Sequence, residues 1–527
     1  MSAEGALLSV YDRTGVVELA RALADRGVPL YATGGTRDHL RKHGVEAYDV
    51  GELTGYPSLF DGRVKTLHPN VFGAILHDRD KPEHLAEAEA HGIPTIATVV
   101  VNLYPFEETI ANESATLQEA VEQIDIGGVS LLRASAKNFD HVTVLSDPSQ
   151  YEAFVVALNE GGLDRSTRRR YATRAFERTA EYDSAIARYL ESGLLTKELP
   201  GSLALTIPIE QPLRYGENPQ DRAAFYLARE AQLPEQLGGK ALSYNNLLDL
   251  DATLRLLVRA PFALRRAAGG ADAPPLSANG FRRAAIVKHT VPCGVAERAN
   301  VADAVREALA ADTVSAYGGI IAVDGTVDLE AAEQLAGFFL EIVAAPSFTD
   351  DALARLRRKK NLRIMRFRAG TPERIAAELR VRSALGGVLA EDDDPQAPPE
   401  RWTTVSRRAP AAGEWRDLLF AWDVVRHVKS NGVVIARDGV SRGICAGQTN
   451  RVSAVQIAAH RAHQFVGGAA CASDGFFPFA DGLIAAADAG CTAVIAPQGS
   501  IRDAEVIAAA DERDIALVFS TYRYFLH

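Results

Sequence analysis

Apolar positions along the chain fall into short runs and helical stripes that take turns. "GALLSV" (5–10) and "VPLYAT" (28–33) are runs of strand length, and "GVVELARALADRG" (15–27) between them repeats its apolar residues at three- and four-residue spacing. "TIATVVVNLYPF" (95–106) predicts a strand buried on both faces, and "VEQIDIGGVSLLRASAKN" (121–138) predicts a turn that opens a helix. Short strands alternating with amphipathic helices predict a parallel α/β unit for residues 1–196. At 196–213, "TKELPGSLALTIPIEQPL" carries three prolines that break the helical pattern, which places the junction with a second domain, residues 197–527. The alternation returns there, as in "TAVIAP" (492–497) and "IALVFS" (515–520), and two aperiodic stretches at 265–283 and 391–402 predict surface loops. "AAIVKHTVPCG" (284–294) predicts a buried strand that ends at Lys288 and His289, with a polar break, a proline and a glycine after it. No repeat of 20–50 residues stands out.

Bulk properties narrow the class. At 527 residues the chain is too long for one core, since single cores stop growing near roughly 250–300 residues. A hydrophobic content of 47% with 24% charged residues is that of a soluble globular protein. Net charge is −11 and the basic residues are scattered, which argues against nucleic-acid binding while leaving room for small phosphates. No apolar run approaches the ~18 residues that span a bilayer, and the N-terminus lacks a basic lead with an apolar core, so no membrane role is expected. Cys293, Cys445, Cys471 and Cys491 are too few and too far apart for a disulfide framework or paired metal ligands, and a reduced cytoplasmic setting fits them.

Candidate chemistry sits where strands end. "YATGGTRDHL" (31–40) runs from strand through a glycine pair into a helix, so free N–H groups could hold an anion; a plain turn with an N-cap has the same pattern. "GRVKTLHP" (62–69) sets Arg63, Lys65, Thr66 and His68 beside a proline, where a loop can clamp an oxyanion or simply carry surface charge. "NLYPF" places Tyr104 just past an apolar strand, and "IDIGG" sets Asp125 before a glycine turn whose helix ends at Lys137 in "ASAKN". Alone, Tyr104 reads as packing and Asp125 as a cap; together these four loops can converge on one face. Further on, "LRYGENP" (213–219) offers Arg214 and Tyr215, and Lys288 beside His289 puts a cation next to a potential general base. "SAYGG", "KKNLR", "KSNG", "GICAGQTNR" and "ASDGFFPFADG" are small-residue or Asn/Gln-rich loops suited to flat ligands. A zinc deaminase would need a cysteine at 296, where Ala296 stands, and no H-x-E occurs. A P-loop is absent too.

These collinear motifs, from "SVYDRTG" through "GRVKTLHP", "IDIGG", "LRYGENP" and "KH" to "SDGFFPF" and the C-terminal "RYFLH", resemble the bifunctional aminoimidazole-carboxamide ribonucleotide (AICAR) transformylase and inosine monophosphate (IMP) cyclohydrolase family nearly end to end. The resemblance implies an α/β protein: an N-terminal methylglyoxal-synthase-like domain, and a C-terminal transformylase domain with a duplicated cytidine-deaminase-like core that requires no metal. It implies 10-formyltetrahydrofolate as cosubstrate and a homodimer with transformylase sites at the interface. Carried over by position, Lys65, Tyr104, Asp125 and Lys137 would catalyse cyclisation, with Ser9, Arg13, Thr33, Gly35, Thr36, Arg63 and Thr66 around the nucleotide phosphate. Lys288, His289 and Asn431 would catalyse formyl transfer, Arg214, Tyr215 and Arg523 would hold the nucleotide, and Glu341, Phe476 and Asp481 would meet the folate.

The chain also departs from the family pattern. Val291 stands where a hydrogen-bonding side chain is usual, Gln220 and Asp221 replace the "HQ" of "NPHQ", Thr313 replaces a proline, Gly475 an alanine and Arg13 a lysine. Val291, Gln220 and Gly475 are therefore candidates for altered specificity. Three readings remain: the ordinary purine enzyme, a paralogue that closes a pyrimidine ring on an AICAR analogue such as a pyrazole C-nucleotide of an antibiotic pathway, and a nucleotide-binding homologue without formyl transfer.

Overall fold

The computed structural model describes residues 4–57, 59–60, 63–112, 114–192, 199, 201–229, 231–259, 280–392 and 400–527. The segment expected to join the two domains falls partly outside these, as do most of the two expected loops. Two compact units form, Met1–Glu210 with Tyr226–Gln232, and Gln211–Phe225 with Leu233–His527.

In the first unit, β1 (Gly5–Val10), β2 (Leu30–Ala32), β3 (Tyr48–Asp49), β4 (Ile96–Asn102) and β5 (Thr143–Leu145) make a parallel sheet in the order β3-β2-β1-β4-β5. The alternation of β1 explains its burial. Leu7 faces one core with Val99 and Val101, while Ala6, Leu8 and Val10 face a second core with Val100. Helices α1 (Val16–Ala24), α2 (Gly34–Lys42), α3 (Gly127–Lys137) and α4 (Arg165–Ser192) belong to this unit. Strand order reverses between β1 and β4, the place where open α/β sheets leave a crevice beyond their strand ends.

The second unit is built twice. A first half runs hairpin β7–β8 (Arg282–Lys288, Val291–Arg298), α6 (Val301–Ala311), β9 (Gly319–Val323), α7 (Leu329–Gly337), β10 (Leu340–Ala345), α8 (Asp350–Arg357) and β11 (Arg363–Arg366). The second half repeats it with β13–β14 (Val433–Arg437, Val440–Cys445), α10 (Arg451–Ala462), β15 (Ala470–Ser473), α11 (Asp481–Ala489), β16 (Ala493–Pro497), α12 (Asp503–Glu512) and β17 (Ala516–Ser520). With β6 (Glu235–Gly238) and β12 (Trp402–Thr404) at the edges, one twelve-stranded sheet forms in the order β12-β17-β16-β15-β13-β14-β8-β7-β9-β10-β11-β6. The halves meet where β8 pairs antiparallel with β14 at Ala296↔Val440.

One face of this sheet carries a continuous core under α5 (Tyr244–Arg255) and α9 (Ala412–Val425), which includes Val287, Ile342, Val434 and Ile495. The opposite face divides into two cores, one per half. Backbones approach closely at matching glycines. A Cβ on Gly294 would lie 2.2 Å from the Ala308 carbonyl of α6, and one on Gly443 would lie 2.0 Å from the Ala458 carbonyl of α10. Asn300 and Asn450 then cap those two helices in the same way.

The strand expected to stop at His289 does not stop. His289 and Thr290 form a two-residue turn, and the chain returns at once as β8, with Lys288 opposite Val291. Pro292 and Gly294 sit inside that strand, and the register shifts between them. Proline cannot donate to a ladder and glycine admits the α6 backbone, so both read as breaks in sequence while serving an irregular strand.

Candidate active site

The loops at the C-terminal edge of the first sheet converge. At the end of β1, the Tyr11 and Asp12 N–H groups donate to Asn102 Oδ1 at 2.6 and 2.9 Å, which ties β1 to β4 across the crevice. Thr33 precedes α2 and its hydroxyl donates to Ser9 Oγ at 3.3 Å. The Thr36 hydroxyl is buried and engaged with the Val10 backbone, so it fixes the helix start to the strand. An Arg13 guanidinium nitrogen lies 3.3 Å from where a Cβ on Gly35 would stand, which brings a cation to the N-terminal end of α2. Arg63 points elsewhere. Its exposed guanidinium pairs with Glu122 at 2.5 Å.

Asp125 is the centre of this cluster. Its carboxylate accepts from the Gly128 N–H at 2.7 Å, and the Tyr104 and Gly127 N–H groups also serve it. Burial raises its pKa above the ordinary carboxylate value, against the pull of those donors and of the Lys65 cation. Gly128 is required here because a Cβ would stand 2.4 Å from Asp125 Oδ2. Tyr104 packs edge-on against Tyr11, with centroids 5.8 Å apart, and burial followed by the charge of Asp125 raises its pKa. Thr66 Oγ1 approaches Gly127, at 2.9 Å from where a Cβ on that glycine would stand. Lys137 does not join them. It ends α3 and Gly127 begins it, so the rise of a helix separates them by about 15 Å. Its neighbourhood is a groove of about 610 Å³ lined by Phe72, Arg133, Arg169 and Phe176.

The second unit gathers its groups along one edge of the large sheet. Carrying the antiparallel register from Ala296↔Val440 along β8 brings Val291 level with Cys445, which itself pairs with Val433. Val433 in turn pairs with Ser473 on β15. The turn at His289, the loop before β13 with Asn431, and the loop after β15 with Phe476 therefore share an edge. Lys288 Nζ donates to the Tyr317 carbonyl at 2.7 Å, which attaches the "SAYGG" loop to the same place. The Asn431 backbone N–H and Nδ2 both donate to the Gln448 carbonyl, at 2.9 and 2.8 Å.

Behind the turn, where β8 and β14 no longer pair, a cavity of about 330 Å³ opens between the halves. Lys288, His289, Val291, Asp312, Arg442 and Arg461 line it. Val291 thus faces a cavity rich in cations. Burial pushes the thiol of Cys293, on the same wall, up to about 12.

Other anticipated residues have local partners. Glu341 accepts from Arg363 at 2.6 Å. Asp481 opens α11 and accepts from the Gly482 N–H at 2.7 Å. Arg214 stacks on Tyr215 at 5.6 Å, and Arg523 on Phe525 at 4.7 Å. Gln220 is exposed in a turn closed by Asp221, whose carbonyl accepts from the Gly216 N–H at 2.9 Å. Gly475 is a packing site. A Cβ there would lie 2.5 Å from Arg451 Nη2 and 2.6 Å from Phe525 Cε1, and Arg451 pairs with the buried Asp474. Sequence reasoning passed over Asn102, Asp249 and Asp417, each of which organises a strand end or turn. The glycine and asparagine pairs at 294/443 and 300/450 are the signals that would have exposed the duplication.

A methylglyoxal-synthase-like nucleotide site and a duplicated, deaminase-like unit with a Lys–His turn define a two-domain α/β enzyme class. Residues 15–130 match the MGS-like domain and residues 135–461 match the AICARFT/IMPCHase bienzyme. The "Bifunctional purine biosynthesis protein PurH" of Chloroflexus aurantiacus is 47% identical over 99% of this chain and 98% of its own. That of Prochlorococcus marinus is 46% identical over 99% of both. A solved structure titled "Crystal structure of ForH" is 35% identical over 36% of this chain and 100% of its own, with a TM-score of 0.32. The chain belongs to the AICARFT/IMPCHase bienzyme family.

Proposed function

We propose that the two activities of this bifunctional enzyme run at the two clusters just described. The enzyme transfers a formyl group to the amine of AICAR and closes formyl-AICAR to IMP with loss of water, and 10-formyltetrahydrofolate is the formyl donor of its family. The observation that carries the transformylase assignment is the Lys288–His289 turn beside a cavity, on the sheet edge shared with Asn431 and Phe476. The AICAR amine is a poor nucleophile because its lone pair is drawn into the ring and carboxamide. His289 takes its proton as nitrogen attacks the formyl carbon, the bond from that carbon to the folate nitrogen breaks, and Lys288 balances charge.

Cyclisation belongs to Asp125, Tyr104 and Lys65. An amide nitrogen attacks the formyl carbon and water leaves. Tyr104, whose raised pKa keeps its phenol protonated, is placed to donate, and Lys65 to stabilise the developing oxyanion. The anion site at the start of α2, with Arg13 and Thr33, suits the nucleotide phosphate. The domain limits 1–196 and 197–527, a homodimer completing the transformylase site, a cytoplasmic setting and catalysis without a metal complete this reading.

His289→Ala should abolish formyl transfer and leave cyclisation of supplied formyl-AICAR at its wild-type rate. Lys65→Ala should do the reverse. Paired assays on the two substrates check both, and a parallel fall of both activities in either variant would defeat the two-centre assignment.

A further inference from the structure

Within the transformylase centre, the turn that presents His289 is conformationally unfavourable. His289 has φ 54° and Thr290 φ 60°, both in the left-handed region. Two-residue hairpin turns of this kind favour Asn-Gly or Asp-Gly, and a β-branched residue at the second position is disfavoured. Something outside the turn must hold it. The Asp249 carboxylate, from α5, accepts from the His289 N–H at 3.2 Å and from the Thr290 N–H at 2.6 Å.

The second half of the duplication contains the same device with ordinary turn chemistry. Its hairpin turns at Asp438 and Gly439, with φ 54° and 67°. Asp417 of α9 accepts from both N–H groups, at 2.9 and 2.8 Å. One carboxylate clamp thus occurs twice in the chain. It closes a favourable Asp-Gly turn in one copy and an unfavourable His-Thr turn in the other, and only the second bears the proposed base.

We propose that Asp249 is a positioning residue for formyl transfer, whose carboxylate holds the His289–Thr290 turn so that the imidazole stands where the AICAR amine must lose its proton. This rests on the assignment of His289 as the base. Asp249 does not touch the substrate; it acts through two backbone N–H groups. Displacement of a catalytic group by about 1 Å costs on the order of a hundredfold in rate. Removing the clamp should therefore appear in turnover and spare substrate affinity.

Asp249→Asn keeps one acceptor and loses the second, and is expected to lower kcat for formyl transfer by about tenfold to a hundredfold with KM for AICAR little changed. Asp417→Asn makes the same cut in the other half and serves as the matched control, expected to shift thermal stability similarly while kcat stays at wild type. Adding Thr290→Gly to Asp249→Asn should restore part of the lost kcat, because glycine adopts a positive φ without strain. Cyclisation of formyl-AICAR should be unchanged throughout. The inference is overturned if Asp249→Asn keeps wild-type kcat, if Asp417→Asn loses kcat equally, or if Thr290→Gly gives no recovery. Should Asp249→Asn fail to fold, the Thr290→Gly double variant carries the same comparison with Asp417→Asn. Full formyl transfer by His289→Ala would overturn the base assignment itself, and this inference with it.

Discussion

Asp125 shows how one residue trades stability for chemistry. Its carboxylate is buried enough that desolvation outweighs three backbone donors and Lys65, so its pKa in the folded protein exceeds that in the unfolded chain. The native state then holds that proton more tightly. Stability falls as pH rises from the ordinary carboxylate value through the raised one, and the deficit persists above it. Asp125→Asn preserves an acceptor for the Gly128 N–H and removes the charge. It should lose cyclisation by about a hundredfold or more, the scale of a general acid–base contribution. At neutral pH its melting temperature should equal or exceed that of the wild type, with the advantage shrinking as pH is lowered through the same window. Melting curves at several pH values check this, and a variant less stable than wild type at neutral pH would contradict the desolvation argument.

Elements in the second unit are held by close backbone contacts that tolerate no side chain. Gly443 and Gly294 each let a helix carbonyl approach within reach of a would-be Cβ. Because the obstructing atom is backbone, repacking a rotamer cannot relieve the clash. Gly443→Ala should therefore cost about 3 kcal/mol, the upper range for overpacking, measured by urea unfolding. An effect below ~1 kcal/mol would show that α10 slides freely on β14. The same contacts explain why β8 was hard to read. Pro292 and Gly294 carry the signature of a strand's end, and only the α6 backbone above Gly294 gives that signature its other meaning.

At the scale of the whole molecule, the two units have their own cores, and the C-terminal residues belong to the second. The Tyr524 N–H donates to the Asp474 carbonyl at 3.0 Å, its hydroxyl to Glu400 at 2.9 Å, and the Ser430 N–H to the Leu526 carbonyl at 2.8 Å. Phe525 fills the space left by Gly475. Deleting Tyr524–His527 should thus release the loops carrying Asn431 and Phe476. Formyl transfer is expected to fall by about a hundredfold, the scale of a displaced catalytic group, with cyclisation unaffected. Parallel assays decide it, and intact formyl transfer would show that these loops hold their shape alone.

Local pattern determined much of this protein. Alternating runs marked the strands of both units, glycine turns marked the helix starts, and collinear motifs identified the family because short-range residue types encode turn and phosphate chemistry directly. Whatever depends on residues far apart in sequence was left to the tertiary structure. Lys137 lies one helix length from Asp125, which spacing along the chain does not reveal. Asp249 lies 40 residues before the turn it clamps. The duplication is written in a few glycines, asparagines and aspartates whose common role appears only when strands and helices pack, since backbone approach and carboxylate–amide geometry constrain position without requiring a recognisable sequence repeat.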